Sequence, residues 1–300
     1  MTRPLVDLGV GCGRRRAKPA CVMLGRLLLS PPACRDIGRV RARWGGRTVL
    51  VTGASAGIGR EVAWLLGLAG ARVLLLARSK AELQQVAHQI RAHGGEAEVL
   101  VADLSKPDQV EAAINDIKAN HARLDAVVSN AGRSIRRSAF KAAEKRDLER
   151  SLAVNFTGPA ALLLGLLPLC RPGTVLVNVS TVSARPPAGP RWGAYQGSKA
   201  GFDVWFQALG AEIQVSGVRC ASVYLPLTRT RMSAPTYHPS TPALSAREAA
   251  ESVVYALVRP VTRVAPWWLG WQELAALAFP GLFRRLFGLV ARWDKYGEKT

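Results

Sequence analysis

The sequence predicts one α/β domain built on a doubly wound parallel sheet, and three observations carry that expectation. From residue 47 onward, short apolar runs alternate with amphipathic stretches of helical length. The apolar runs are continuous rather than alternating, as in strands covered on both faces. No Gly/Ser-rich or charged linker divides the array, so the 300 residues read as one domain over 46–265 with a segment at each end.

The elements follow in order. Residues 47–51 read as a buried strand, and 58–68 as a helix with Ile58, Val62, Leu65 and Leu66 at helical spacing. A strand at 72–77, a helix at 80–92, a strand at 98–102, a helix at 108–119 and a strand at 124–129 continue the rhythm. Such alternation implies right-handed β-α-β crossovers. A long helical stretch at 144–169, bent or stopped near Pro159 and Pro168, leads to a strand at 174–179. A helix at 194–215 precedes a strand at 219–224, and Pro-, Ser- and Thr-rich sequence then runs to Pro242. A helix at 245–257 and a strand at 262–265 close the domain.

Composition excludes several classes. With 49% hydrophobic and 21% charged residues, the chain can bury a large core and is not disordered. Its 41 Lys+Arg against 21 Asp+Glu give a net charge of +20, which raises nucleic acid or an anionic membrane as partner. Residues 1–48 hold eleven basic and two acidic residues, and 259–300 hold seven and three, so much of the excess lies near the ends. Aromatics are not interleaved with the N-terminal arginines and no known binding module is present, which argues against nucleic acid. Residues 1–45 form a basic segment, read as partly disordered or as a surface helix. Arg26 interrupts its apolar run and Pro31-Pro32-Ala33-Cys34 is a poor cleavage site, so export is disfavoured. A short amphipathic surface segment, or Met23 as the true start, fits better. Five cysteines without a C-x-x-C pair indicate neither a disulfide framework nor a metal site, and suit a reducing cytoplasm.

The first strand runs through Thr52-Gly53-Ala54-Ser55-Ala56-Gly57-Ile58-Gly59 directly into a helix. Such a loop supplies close backbone approach, tolerated positive φ and a helix N-terminus with free N–H groups, which a pyrophosphate needs. This makes the domain Rossmann-type. At the end of the second strand, Arg78 and Ser79 stand where an acidic residue would read a ribose hydroxyl. They favour NADP(H), with NAD(H) left open and a solvated strand-end arginine as the plain alternative. Asp103-Leu104 after the third strand and Asn130-Ala131-Gly132 after the fourth complete the nucleotide side.

Tyr195 and Lys199 lie four residues apart near the start of a helix, so both share one face. The ammonium can stabilise the phenolate, letting the tyrosine exchange a proton with a carbonyl oxygen, and Ser180 can bond the same oxygen. With the glycine loop, Asn130-Ala131-Gly132, Ser180 and Tyr195/Lys199 in this order, the sequence resembles the short-chain dehydrogenase/reductase family over roughly residues 46–265. The resemblance implies that Thr52, Gly53, Ser55, Gly57, Ile58 and Gly59 hold the cofactor, and that Asp103 and Asn130 lie on its adenine side. It also implies a tetrad of Asn155, Ser180, Tyr195 and Lys199, with Asn155 holding a proton-relay water. It implies a homodimer or homotetramer formed through the two long helices.

The family's Pro-Gly after the sixth strand is replaced by Pro226-Leu227-Thr228-Arg229-Thr230, in which Thr230 can still reach the carboxamide or a phosphate. Continued through Arg231-Met232-Ser233-Ala234-Pro235-Thr236, this segment, with Pro242-Ala243-Leu244-Ser245, Glu248-Ala249-Ala250 and the strand Arg263-Val264-Ala265, resembles bacterial fatty acyl-CoA reductase-type members. Residues 266–300 form an aromatic-rich amphipathic extension, broken by Pro280-Gly281 into two helices with Arg284, Arg285 and Arg292 on the second. It suits an anionic membrane surface, or a cap on the cleft or a subunit interface. The expected function is NADP(H)-dependent reduction of a lipophilic carbonyl, a fatty acyl-CoA or long-chain aldehyde, in the cytoplasm or on the membrane's cytoplasmic face. A small-ketone or alcohol dehydrogenase is the alternative, and a non-catalytic NADP-binding regulator is disfavoured by the intact tetrad.

Overall fold

The structure is a computed structural model that describes residues 30–234 and 241–296, with side chains to Arg292. The readings placed on residues 1–29, on Pro235-Thr236 and on residues 297–300 lie outside these. Seven parallel strands form one sheet: β1 (Thr48–Thr52), β2 (Arg72–Ala77), β3 (Glu96–Val101), β4 (Leu124–Ser129), β5 (Cys170–Thr181), β6 (Arg219–Leu225) and β9 (Arg263–Val264). Their spatial order is β3-β2-β1-β4-β5-β6-β9. The order reverses between β1 and β4, so the crossovers diverge there and leave a crevice at the carboxyl ends of these strands.

The continuous apolar runs are explained by two buried faces. Val49, Val51, Val73 and Leu75 pack under α2 (Gly57–Leu68), α3 (Lys80–Ala92) and α9 (Ala246–Val258). Leu50, Leu74, Leu76 and Val127 face the other layer, formed by α4 (Pro107–Asn120), α7 (Gly158–Leu166) and α8 (Gly193–Ile213). All eight strand residues are fully buried.

Two expectations are corrected. The segment before residue 46, expected outside the fold, contributes α1 (Ile37–Trp44), with Val40 and Trp44 in the core. The Cys34 N–H donates to the Glu251 carbonyl at 2.9 Å, tying this entry segment to α9. Val40 and Trp44 are one turn apart, and the arginines between them take the outer face, which disguises the core stripe in the sequence. The second correction concerns 144–169, where α5 (Ala139–Glu144) and α6 (Asp147–Leu152) are separate helices. Pro159 does not stop the chain: a π-helical turn over Ala153–Thr157 precedes it, and Pro159 sits in the first turn of α7. In that wider turn the Gly158 N–H donates five residues back to the Ala153 carbonyl, and Pro159 stands where a first-turn helix residue needs no N–H. The stretch Asp147–Leu169 is long and apolar enough to cross a membrane, yet Leu162, Leu163 and Leu166 are buried against the sheet as a crossover helix.

Where the sequence loosens after β6, Thr228–Arg229 (β7) and Leu244–Ser245 (β8) form a small parallel pair of their own. The C-terminal extension forms α10 (Leu269–Ala278) and α11 (Pro280–Tyr296), bent by 102° at the expected Pro280 break.

Candidate active site

A cleft of about 1500 Å³ opens at the carboxyl ends of the strands. The glycine loop forms its floor. Gly53 and Gly57 adopt positive φ, and a Cβ on Gly53 would lie 2.9 Å from the Asn130 amide and 3.0 Å from Ala131 Cα. Helix α2 begins at Gly57 without a side-chain cap, whereas Ser79 caps α3 and Ser245 caps α9. Its first residues, Gly57 and Ile58, line the cleft with no side chain capping their N–H groups, which suits a pyrophosphate. Ser55, Gly57 and Ile58 line this floor.

Thr52, Gly59 and Asn130 shape the loop. Thr52 Oγ1 accepts from the N–H groups of Asn130 and Ala131 at 2.9 and 3.0 Å. Asn130 Nδ2 donates back to the Thr52 carbonyl at 3.0 Å, which staples β1 to β4 while Asn130 lines the cleft, as Asp103 does. A Cβ on Gly59 would stand 2.3 Å from the Gly53 carbonyl oxygen, so its lack of a side chain serves packing. Thr52 and Gly59 do not line the cleft themselves.

At the ends of β2 and β3, where the sequence places the adenosine side, Arg78, Ser79, Asp103 and Leu104 line the cleft together. The Ser79 hydroxyl accepts from the Glu82 N–H as the cap of α3. Asp103 accepts from the Ser105 N–H and hydroxyl at 2.9 and 2.8 Å, and pairs with the exposed Arg78 at 3.7 Å. Burial raises its carboxyl pKa, but these Ser105 bonds and the Arg78 charge outweigh it and hold the pKa below its ordinary value. Thr230 reaches the glycine loop, its methyl 3.2 Å from where a Gly57 Cβ would be, and Pro226 lines the same wall.

Three of the four residues of the expected tetrad line the other end, and Asn155 lies behind them. Tyr195 and Lys199 on α8 line the cleft with Ser180 at the end of β5. The Ser180 hydroxyl is buried and meets no hydrogen-bond partner among the described residues. Buried hydroxyls are nearly always satisfied, so one left open at a cleft marks a place for a ligand atom. Lys199 Nζ donates to the Val179 carbonyl at 3.1 Å, and burial lowers its pKa to about 8 against the charge of Asp203. Asn155 lies in the π turn, a common functional use of that irregularity. It accepts from the Arg133 N–H at 2.7 Å and donates to the Arg133 carbonyl and Ser198 Oγ, both at 2.9 Å. A Cβ on Gly132 would be 3.2 Å from Asn155 Oδ1 and 3.3 Å from Lys199 Nζ, so glycine lets Lys199 and Asn155 approach there.

Sequence reasoning missed several residues here. Trp192, whose ring centre is 5.7 Å from that of Tyr195, lines the reacting end. Arg133, Lys145, Arg146 and Arg150 also line the cleft, and only Arg133, next to Asn130-Ala131-Gly132, carried a local signal. The buried Asp203 accepts from Asn178, Ser222, Tyr224 and Gln207, one turn beyond Lys199. Burial and Asp203 push the Tyr224 phenol well above its ordinary pKa, which keeps it a donor. Burial also raises the Cys170 and Cys220 thiols to about 11 and about 12, so neither supplies a thiolate near neutral pH.

Known proteins agree with this geometry. A family model described as short chain dehydrogenase matches residues 47–240. The chain is 37% identical over 224 residues to a fatty acyl-CoA reductase of Acinetobacter baylyi, covering 73% of this chain and 76% of that protein. It is also 37% identical over 246 residues to a fatty acyl-CoA reductase of Mycobacterium tuberculosis, covering 80% and 82%. Among solved structures, a metagenomic short-chain oxidoreductase in complex with NADP is 28% identical with a TM-score of 0.64, covering 74% of this chain and 97% of that one. A short chain dehydrogenase from Shigella flexneri complexed with NADP is 29% identical with a TM-score of 0.66, covering 72% and 93%. The parallel sheet, the cleft at its switch point and these likenesses agree, and the chain belongs to the short-chain dehydrogenase/reductase family of oxidoreductases.

Proposed function

We propose that this protein is an NADP(H)-dependent reductase of a lipophilic carbonyl, a long-chain acyl thioester or aldehyde, with Ser180, Tyr195, Lys199 and Asn155 as its catalytic set. The carrying observation is the buried Ser180 hydroxyl, which lacks a partner among the described residues and lines the cleft with Tyr195. When bound, NADPH would supply the hydride. The uncapped α2 N-terminus and the space left at Gly53 suit its pyrophosphate, with Ser55, Gly57, Ile58, Ala131 and Gly132 along its length. Arg78, Ser79, Asp103 and Leu104 flank its adenosine end, where Arg78 can exchange Asp103 for a 2′-phosphate.

Ser180 donates to the substrate carbonyl oxygen and Tyr195 gives it a proton as negative charge develops. The Lys199 ammonium stabilises the phenolate left behind. Asn155 holds the α6–α7 turn to Arg133 and Ser198, and connects Lys199 to solvent through water. From a thioester, the resulting hemithioacetal breaks its C–S bond and releases thiol and aldehyde. The acyl substrate class rests on the names of the two reductases above and on the apolar extension beside the cleft. Glu273 of α10 bonds Arg185, five residues past Ser180, at 2.8 Å, and Gln272 donates to the Pro186 carbonyl at 3.0 Å.

The extension also supports peripheral attachment to an anionic membrane from the cytoplasmic side. Trp267, Trp271, Leu274, Leu277, Leu282, Leu286 and Leu289 are exposed beside Arg284, Arg285 and Arg292, a combination that suits the lipid interface. Leu164 on α7 and Val204 on α8 are exposed on the long helices expected to join subunits of a homodimer or homotetramer.

The test is NADPH oxidation across acyl-CoA, aldehyde and ketone chain lengths, with Tyr195→Phe alongside. The variant should lose turnover of every carbonyl while NADPH binding stays nearly intact. Retained turnover, or a preference of the unaltered protein for small polar ketones, overturns the reading.

A further inference from the structure

The cleft carries positive charge that the dinucleotide does not use. Its phosphates are accounted for by Arg78 with Ser79 and by the α2 N-terminus. Arg133, Lys145, Arg146 and Arg150 line a different stretch of wall, contributed by the residues after Gly132 and by the α5–α6 junction. Arg146, at φ 51°, turns the chain between the two helices and is paired with Glu149. Asp147, fully buried, is held by Arg137 at 2.5 Å and by Arg150 at 3.4 Å, so it braces Arg150 from behind. Arg133 and Lys145 have no carboxylate within ion-pair distance among the described residues. Burial, and then the charges of Arg150 and Arg78, lower the pKa of Arg133 against the opposing charge of Asp147, so positive charge prevails around it even with Glu149 on the same wall. Like charges gathered on one cleft wall are relieved by an anionic ligand.

Space points the same way. About 1500 Å³ exceeds the roughly 300–1,000 Å³ of a site for one small ligand, leaving room for a second extended molecule. The wall also starts at the reacting end, because Arg133 directly follows the glycine that adjoins Lys199 Nζ. We propose that Arg133, Lys145 and Arg150 form a second phosphate-binding subsite, which takes the coenzyme A moiety of an acyl-thioester substrate. This rests on the acyl-CoA reading of the site. A phosphate of the cofactor shares the chemistry, and the experiment separates the two sources.

Calorimetry with coenzyme A titrated into the NADP⁺-loaded protein provides the test, with NADP⁺ titrated separately into the cofactor-free protein. Lys145→Gln, at an exposed position, and the double variant Arg133→Gln/Lys145→Gln are compared with the unaltered chain. Loss of one charge-assisted contact weakens coenzyme A binding about tenfold, and the double variant weakens it further, while NADP⁺ affinity changes less than about twofold. Unchanged coenzyme A affinity in both variants overturns the subsite. A loss confined to NADP⁺ affinity also overturns it, assigning the wall to the cofactor. Turnover keeps the two readings apart: if decanal is reduced and decanoyl-CoA is not, the acyl-thioester part of the substrate reading fails, while the titration still decides the subsite.

Discussion

Lys199 hands a hydrogen bond to the carbonyl of Val179, 3.1 Å away, the residue immediately before Ser180. That bond fixes the ammonium at the end of β5, and burial lowers the lysine pKa to about 8. On the proposed mechanism the charged form stabilises the Tyr195 phenolate and is the active form. Reductive kcat/KM is therefore expected to hold below a pH of about 8 and to fall above it. Because the folded value lies below 10.5, the unfolded chain binds this proton more readily between the two values. The group's contribution to stability thus rises with pH across that window. Lys199→Arg keeps its charge throughout, so its residual activity should lack the alkaline limb. An identical limb in that variant would assign the ionisation to another group.

Arg78 pairs with Asp103 at 3.7 Å, a long contact for an exposed guanidinium. Such a pair is weak and readily exchanged for a dianionic phosphate. Arg78→Asp should cut kcat/KM with NADPH by about tenfold or more, the worth of a charge-assisted contact plus a new repulsion. With NADH, which lacks the phosphate, the rate should change little or rise. Steady-state kinetics with both cofactors check this, and equal losses with the two would remove Arg78 from the choice of dinucleotide.

Much of this architecture was legible because the fold's signals are local. The helix at 80–92 and the strands at 72–77 and 124–129 match α3, β2 and β4. Their apolar runs end in strong punctuation, Ser79 capping α3 and Gly70 turning the chain before β2. The glycine loop and the Tyr195/Lys199 pair were legible because spacing alone brings their members together. Lys145, Arg150 and Asp203 were not, since tertiary packing gives them their neighbours. Asn155 was placed through resemblance, but its π turn left no mark in the periodicity. Trp44 was hidden differently: its stripe of two core residues is too short to outweigh the arginines around it.

Glu273 anchors the start of the C-terminal extension by accepting from Arg185 and Arg263, both at 2.8 Å. Beyond it the chain turns by 102°, and Leu282, Leu286 and Leu289 on α11 are each about half exposed. These residues recur at intervals of four and three, so they form one apolar stripe. The arginines of the same helix favour an anionic lipid surface as what covers it. Leu286→Glu/Leu289→Glu should abolish co-sedimentation with phosphatidylglycerol vesicles while leaving NADPH binding and thermal stability close to unchanged, because the stripe lies outside the core. Arg284→Glu/Arg285→Glu should weaken binding to those vesicles, and added salt should do the same, since each cation near the surface contributes about 1 kcal/mol. Neutral phosphatidylcholine vesicles should bind poorly throughout. If the leucine variant instead turns an oligomer into a monomer and vesicle binding is absent from the start, a second copy of the chain covers the stripe and the membrane assignment fails.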